Sequence, residues 1–241
     1  MHERTESEKI AFKRIATNWQ SVQSDVADAL RHAHRERNQV KIIGVTKYVD
    51  APTTALLVDA GCQALGENRP QALWQKAESD GLSGRMIDWH MIGHVQRNKL
   101  RRLLRHRPTI HSVDSQRLLD ALHQEAAAND NPVQVMLEVN ISGDESKTGL
   151  APSHLLELLE RADESSVRIV GLMAMAGWGT SAGEARKQFS CVRELRDRLA
   201  KKSGNPLHQL SMGMSGDFRE AIAEGATMVR IGSRLFEGIE R

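Results

Sequence analysis

The chain has 241 residues, 40% of them hydrophobic and 27% charged, values that suit a soluble globular protein with a substantial core. Its 33 basic and 31 acidic residues leave a formal charge of +2, so no strong field for nucleic acid or a membrane surface is expected. Cys62 and Cys191 lie far apart and outside any CxxC motif, which argues against a disulfide scaffold or a zinc site and suits a reducing cytoplasm.

The first fifteen residues, MHERTESEKIAFKRI, carry mixed charges and no apolar h-region, so a secretory signal is not expected. No apolar run elsewhere is long enough to span a bilayer. Residues 7–36 place Ile10, Phe12, Ile15, Trp19, Val22, Val26 and Leu30 close to a helical period, which predicts a long amphipathic helix lying across the body of the domain. The apolar run 41–46 then reads as a strand buried on both faces and ends at Lys47. Asp50, Ala51 and Pro52 open a helix that Gly61 stops. Ala64 to Gly66 is a short second strand leading to Glu67 and Asn68, and Pro70 starts a helix that ends near Gly81. A third strand falls within 87–93, IDWHMIG. The basic stretch Arg97 to Arg107 follows, with Leu100, Leu103 and Leu104 at helical spacing, and reads as an amphipathic helix with a solvated basic face.

The second half repeats the alternation. Strands are expected at 110–113, 133–140, 167–175, 208–212 and 227–231, with helices through Ala128, from Pro152 to Arg161, from Glu184 to Lys202 and from Asp217 to Glu224. Eight strand and helix units with short loops and no break in composition predict an α/β fold, a single (β/α)8 TIM-type barrel over about 41–238 with an extra N-terminal helix, in one domain spanning 1–241. An open doubly wound sheet would normally show GxGxxG after its first strand, and here that turn reads TKYVDAP.

Barrel sites lie at the C-terminal ends of the strands, often with phosphate bound after strands seven and eight. Lys47 ends strand one; an amine held there against apolar walls would lose charge and could form a Schiff base with an aldehyde, whereas a solvated lysine is the plain alternative. After strand seven, Ser215 is a candidate helix N-cap and Gly216 lets a phosphate oxygen approach backbone amides. After strand eight, Gly232 and Ser233 offer a similar corner. Each alone reads as a cap or turn, and their coincidence favours a phosphate site. Arg230 sits between Val229 and Ile231 and needs a partner, either a carboxylate such as Glu67, Glu138 or Asp217, or an acceptor on a ligand such as a pyridine nitrogen. Asn68 could bond a ligand oxygen or hold a loop. His90 reads as a satisfied core histidine, His94 and Gln96 as loop residues, and Asn140 and Lys147 as residues of the loop after strand five.

The succession VTKY, LGEN, WHMIGHVQRNK, HSVDS, VNISGDESKTG, GLMAM and LSMGMSGDFREAIAEGATMVRIGSRLFE resembles the pyridoxal phosphate homeostasis proteins, barrels similar to the N-terminal domain of alanine racemase, over about residues 7–238. The resemblance implies pyridoxal 5'-phosphate held as an internal aldimine on Lys47, phosphate contacts at Ser215, Gly216, Gly232 and Ser233, Arg230 against the pyridine nitrogen and Asn68 near the ring. It also implies a cytoplasmic carrier or buffer of the cofactor, with apo-enzymes that use it as partners. Tyr48, GENRPQ, IGHVQ and MAMAGWG depart from the family's common pattern and touch the rim of the mouth.

A PLP-dependent racemase of the alanine-racemase type is the competing reading. Such an enzyme takes a second base from a tyrosine of a β-rich domain, and here Tyr48 is the only tyrosine and the chain ends just after the barrel. Residues adjacent in a strand project to opposite sides, so Tyr48 is badly placed to oppose Lys47. The expectation is therefore a non-catalytic, monomeric cofactor-binding protein with no catalytic residues, no metal and neither membrane nor nucleic acid as partner.

Overall fold

The computed structural model describes residues 4–128, 132–141, 148–161 and 166–239. It opens with helix α1, Glu6–His32, whose first turn is closed by a capping box: Glu8 N donates to Thr5 Oγ1, and the Glu8 carboxylate accepts from Thr5 N at 2.7 Å. The helix stops short of the expected residue 36 because His34 takes a left-handed backbone, φ 53°. Its buried stripe runs through Ile15, Trp19, Val22, Val26 and Leu30. It packs on the chain's last described segment, where Asn18 Nδ2 donates to the carbonyls of Leu235 and Glu237 at 3.2 and 3.0 Å.

Eight strands follow: β1 Lys41–Val45, β2 Ala64–Glu67, β3 Asp88–Met91, β4 Thr109–Val113, β5 Val133–Glu138, β6 Val167–Met173, β7 Gln209–Met214 and β8 Met228–Ile231. Each is parallel to its neighbours, and β8 pairs with β1, with Ile43 opposite Arg230, closing the barrel in sequence order. The connecting helices are α2 Ala51–Asp59, α3 Pro70–Ala77, α4 Leu100–Leu103, α5 Gln116–Ala128, α6 Leu155–Arg161, α7 Ala182–Ser203 and α8 Phe218–Ala223. This is the (β/α)8 barrel with an N-terminal helix that the alternating pattern predicts. The basic stretch differs from a single helix: it is α4 with a 3-10 turn at either end, and it closes at Arg107, which is left-handed at φ 48°. Leu100, Leu103 and Leu104 are buried as their spacing requires, and Arg102 lies over the Trp74 ring, 4.6 Å from its centre.

The two sides of the barrel wall differ. A Cβ on Gly44 would meet Cys62 Sγ at 2.8 Å and Leu57 Cδ2 at 3.0 Å, both in the outer layer, so its neighbour Ile43 faces inward. Ile43, Met136, Met173 and Met228 form a small cluster of their own, apart from the large apolar core. Arg230, level with Ile43 across the β1–β8 pairing, shares that interior with polar side chains. Among the described residues no helix is long and apolar enough to cross a membrane.

Candidate cofactor site

β1 ends at Val45, and Lys47 and Tyr48 form a turn instead of continuing the strand. The turn lifts Lys47 away from the apolar walls expected around it: the residue is exposed, with Nζ 4.8 Å from the centre of the Tyr48 ring, itself 67% exposed. It also overturns the expectation that the two side chains project to opposite sides, because strand alternation does not hold in a turn. The base of the turn is pinned from below. Lys76 Nζ donates to the carbonyl of Thr46 at 2.7 Å and pairs with Glu67 Oε1 at 2.5 Å, an oxygen that also accepts from Thr46 Oγ1 at 2.6 Å. Glu67 is fully buried and its second oxygen has no hydrogen-bond partner.

The loops after β7 and β8 meet. Gly232 N donates to Ser215 Oγ at 3.4 Å, which joins the two expected phosphate corners. Ser215 is not the helix cap that the sequence predicts; Asp217 holds the position before α8, and its carboxylate accepts from Met214 N at 2.6 Å. The place of a Cβ on Gly216 is open, with no atom of the described residues beyond its chain neighbours within 4 Å, whereas a Cβ on Gly232 would sit 3.3 Å from the carbonyl oxygen of Val45. The corner thus abuts β1 two residues before Lys47. Ser233 starts the 3-10 turn Ser233–Phe236. Gly213 allows this approach: at φ 90° it brings β7 against α8, and a Cβ there would lie 2.6 Å from Ala221 Cβ.

Arg230 is 5% exposed and none of the anticipated carboxylates hydrogen-bonds it. One guanidinium nitrogen donates to the carbonyl and hydroxyl oxygens of Ser211, both at 2.7 Å, and the other to the carbonyl of Ala174 at 3.0 Å. Burial lowers its pKa to about 10, and the charges of Asp217 and Glu138 oppose that shift. Glu67 is committed to Lys76. Two of the five guanidinium N–H groups have no hydrogen-bond partner among the described residues.

Behind Ser211 stands a buried polar chain that sequence reading noticed only at His90. Ser211 Oγ is 2.8 Å from His111 Nδ1, and His111 Nε2 is 2.9 Å from His90 Nδ1, with the two rings edge to face at 83°. His90 Nε2 lies 3.2 Å from Asp88 Oδ2, within ion-pair range but without hydrogen-bond alignment, and Lys41 Nζ is 2.5 Å from the same oxygen. Burial holds His111 well below the usual histidine range, helped by the positive charge of Arg230.

A 590 Å³ cavity opens at the C-terminal ends of β5 to β7, lined by Glu138, Asn140, Thr148, Met175, Trp178, Met214, Gly216 and Asp217. Trp178 is wholly exposed at its rim. Burial raises the carboxyl groups of both Glu138 and Asp217, against the opposing hydrogen bonds from Thr148 and from Met214 N. Asn140 and Gly216 line this cavity. Lys47, Asn68, Gly232 and Ser233 lie elsewhere, after β1, β2 and β8, with Asn68 half-buried and packed by its backbone against Gly93. His94 is exposed with Nδ1 2.9 Å from Asp114, Gln96 is exposed, and Lys147 is outside the described residues. A second cavity, of 680 Å³, lies at the opposite end of the barrel beneath α1 and includes Lys41 and Asp88 in its lining. Chemistry on barrels belongs to the C-terminal end.

The family described as alanine racemase, N-terminal domain, matches residues 13–239. The pyridoxal phosphate homeostasis protein of Aquifex aeolicus is 38% identical over 212 residues, 88% of this chain and 92% of that protein. The chain belongs to the pyridoxal phosphate homeostasis proteins. PipY of Synechococcus elongatus PCC7942, solved with PLP bound, superimposes on this member of the family with a TM-score of 0.81 at 31% identity, covering 92% of this chain and 99% of that one. Alanine racemase from Corynebacterium glutamicum shares the barrel at a TM-score of 0.70, but at 16% identity and over 63% of its own length, a likeness of fold alone.

Proposed function

We propose that this chain binds pyridoxal 5'-phosphate and carries or buffers it within the cell, as a cytoplasmic monomer that supplies apo-enzymes and turns over no substrate of its own. The observation that carries the reading is Arg230, a buried guanidinium that has, among the described residues, no hydrogen-bonded carboxylate and two N–H groups left over. Pyridoxal phosphate supplies an aldehyde that amines condense with, a pyridine nitrogen that accepts a hydrogen bond, and a phosphate. The residues present fit all three. Lys47 offers an exposed amine, and Ser215, Gly216, Gly232 and Ser233 form the corner that would take the phosphate. Arg230 would donate to the ring nitrogen, and Asn68 would border the ring.

An arginine donor keeps the pyridine nitrogen from gaining a proton and so makes the ring a poorer electron sink. A racemase also needs bases on opposite faces of the substrate carbon, and Tyr48 lies on the same side as the Lys47 amine. Both points favour binding over catalysis. Borohydride reduction of cofactor-saturated protein followed by peptide mass mapping tests the assignment: the label should fall on Lys47, and the visible absorption band of the bound cofactor should be missing in Lys47→Ala. Reduced protein carrying no label at Lys47 would overturn it. Turnover of any amino acid in a broad panel would displace the carrier reading in favour of the racemase.

A further inference from the structure

We propose that His90 and His111 are positioning residues which, through Ser211, fix the guanidinium of Arg230 for the ring nitrogen of the bound cofactor. This rests on the cofactor reading above and extends it to residues that touch no ligand.

Ser211 Oγ has one hydrogen and two lone pairs, and Arg230 donates into a lone pair at 2.7 Å. Its hydrogen is therefore free to go to His111 Nδ1, 2.8 Å away, if that nitrogen is unprotonated. A neutral His111 then carries its proton on Nε2 and donates to His90 Nδ1 at 2.9 Å, and His90 in turn carries its proton on Nε2, which faces Asp88 Oδ2 at 3.2 Å. In this order every donor points from Arg230 toward a carboxylate. With His90 neutral, the reverse order would set its unprotonated nitrogen against that carboxylate, two acceptors face to face; with His90 doubly protonated, it would put a buried cation between Lys41 and Arg230 and leave the Ser211 hydrogen with no acceptor among these residues. Asp88 is kept ionised: burial opposes its charge, but the nearby Nε2 of His90 and the ammonium of Lys41 outweigh it. The direction of the whole chain is thus set at Asp88, on the strand ends far from the mouth, and Ser211 offers only lone pairs to Arg230. The charged groups acting on the pair are Asp88 from β3, Lys41 from β1 and Arg230 from β8.

Two measurements on the full chain test this. In the cofactor-free wild type, imidazole nitrogen and proton NMR should show both His90 and His111 neutral and protonated on Nε2; a proton on Nδ1 of His90, or a charged ring at His111, overturns the assignment whatever the cofactor does. In His111→Phe, affinity for pyridoxal phosphate should fall about tenfold, while affinity for its analogue with carbon in place of the ring nitrogen should stay within about twofold of wild type. Equal losses for both ligands would mean general damage to the barrel and would overturn the positioning role. If wild-type protein bound neither ligand, the cofactor reading itself would fall, while the NMR result would still test the order of the proton chain by itself.

Discussion

At the scale of single residues, Lys76 and Glu67 show how the turn that carries an exposed lysine is held by groups beneath it. Both are buried, and Lys76 also holds the carbonyl of the residue before Lys47. Lys76→Met would leave the Glu67 carboxylate buried without its cation, at a cost of about 3–5 kcal/mol. Denaturant unfolding should show that loss, and the double change Lys76→Met with Glu67→Gln should recover much of it; a single variant as stable as wild type would contradict the pairing. The end of the first strand just before Lys47 was legible in the sequence because an apolar run stops there, but the exposure of Lys47 was not. The break in the strand after Val45 depends on Thr46 and its buried partners, which lie 21 and 30 positions further along the chain. His111 and Ser211 were missed for the same reason. Each looks like an ordinary strand residue, and the hydrogen bond between them joins positions 100 apart.

At the scale of elements, β7 and α8 meet through one permissive backbone position. Gly213→Ala would place a methyl group against Ala221 and the backbone of Phe218 in a left-handed conformation, costing about 2–4 kcal/mol. Because Ser215 follows two residues later, the same variant should also weaken binding of pyridoxal phosphate; calorimetric melting and a binding titration read the two effects. Ser181→Ala should cost less, about 1 kcal/mol, since it removes only the capping box of α7, in which Glu184 N donates to Ser181 Oγ. The periodic elements were those the sequence displayed best, because apolar spacing survives any environment. The boundaries that moved were those set by tertiary contacts. β7 runs on to Met214 as Asp217 fastens its end, and the basic stretch breaks into short turns so that three leucines reach the core.

At the scale of the whole molecule, the polar chain through the barrel gives folding a pH dependence. His111 is neutral when folded and regains the ordinary histidine value of 6.5 when unfolded, so the unfolded chain binds the extra proton below that pH. Its contribution is complete above 6.5 and is lost as the pH falls, at a slope approaching about 1.4 kcal/mol per pH unit. Asp88, depressed in the fold, adds a contribution present above the ordinary carboxylate range and lost below it. Stability of wild type and His111→Phe measured from pH 7 to 5 should therefore converge as the pH falls. Parallel curves would show that the buried ring does not resist protonation. The mouth has one further property. Trp19, Trp74 and Trp89 are buried, whereas the indole of Trp178 stands in solvent at the rim of the cavity. Its emission should be red-shifted from the other three, and an absorbing molecule that settles beside it should quench that component first. If the cofactor settles there, that indole would serve as a built-in optical gauge of its arrival and departure, readable in real time without a label.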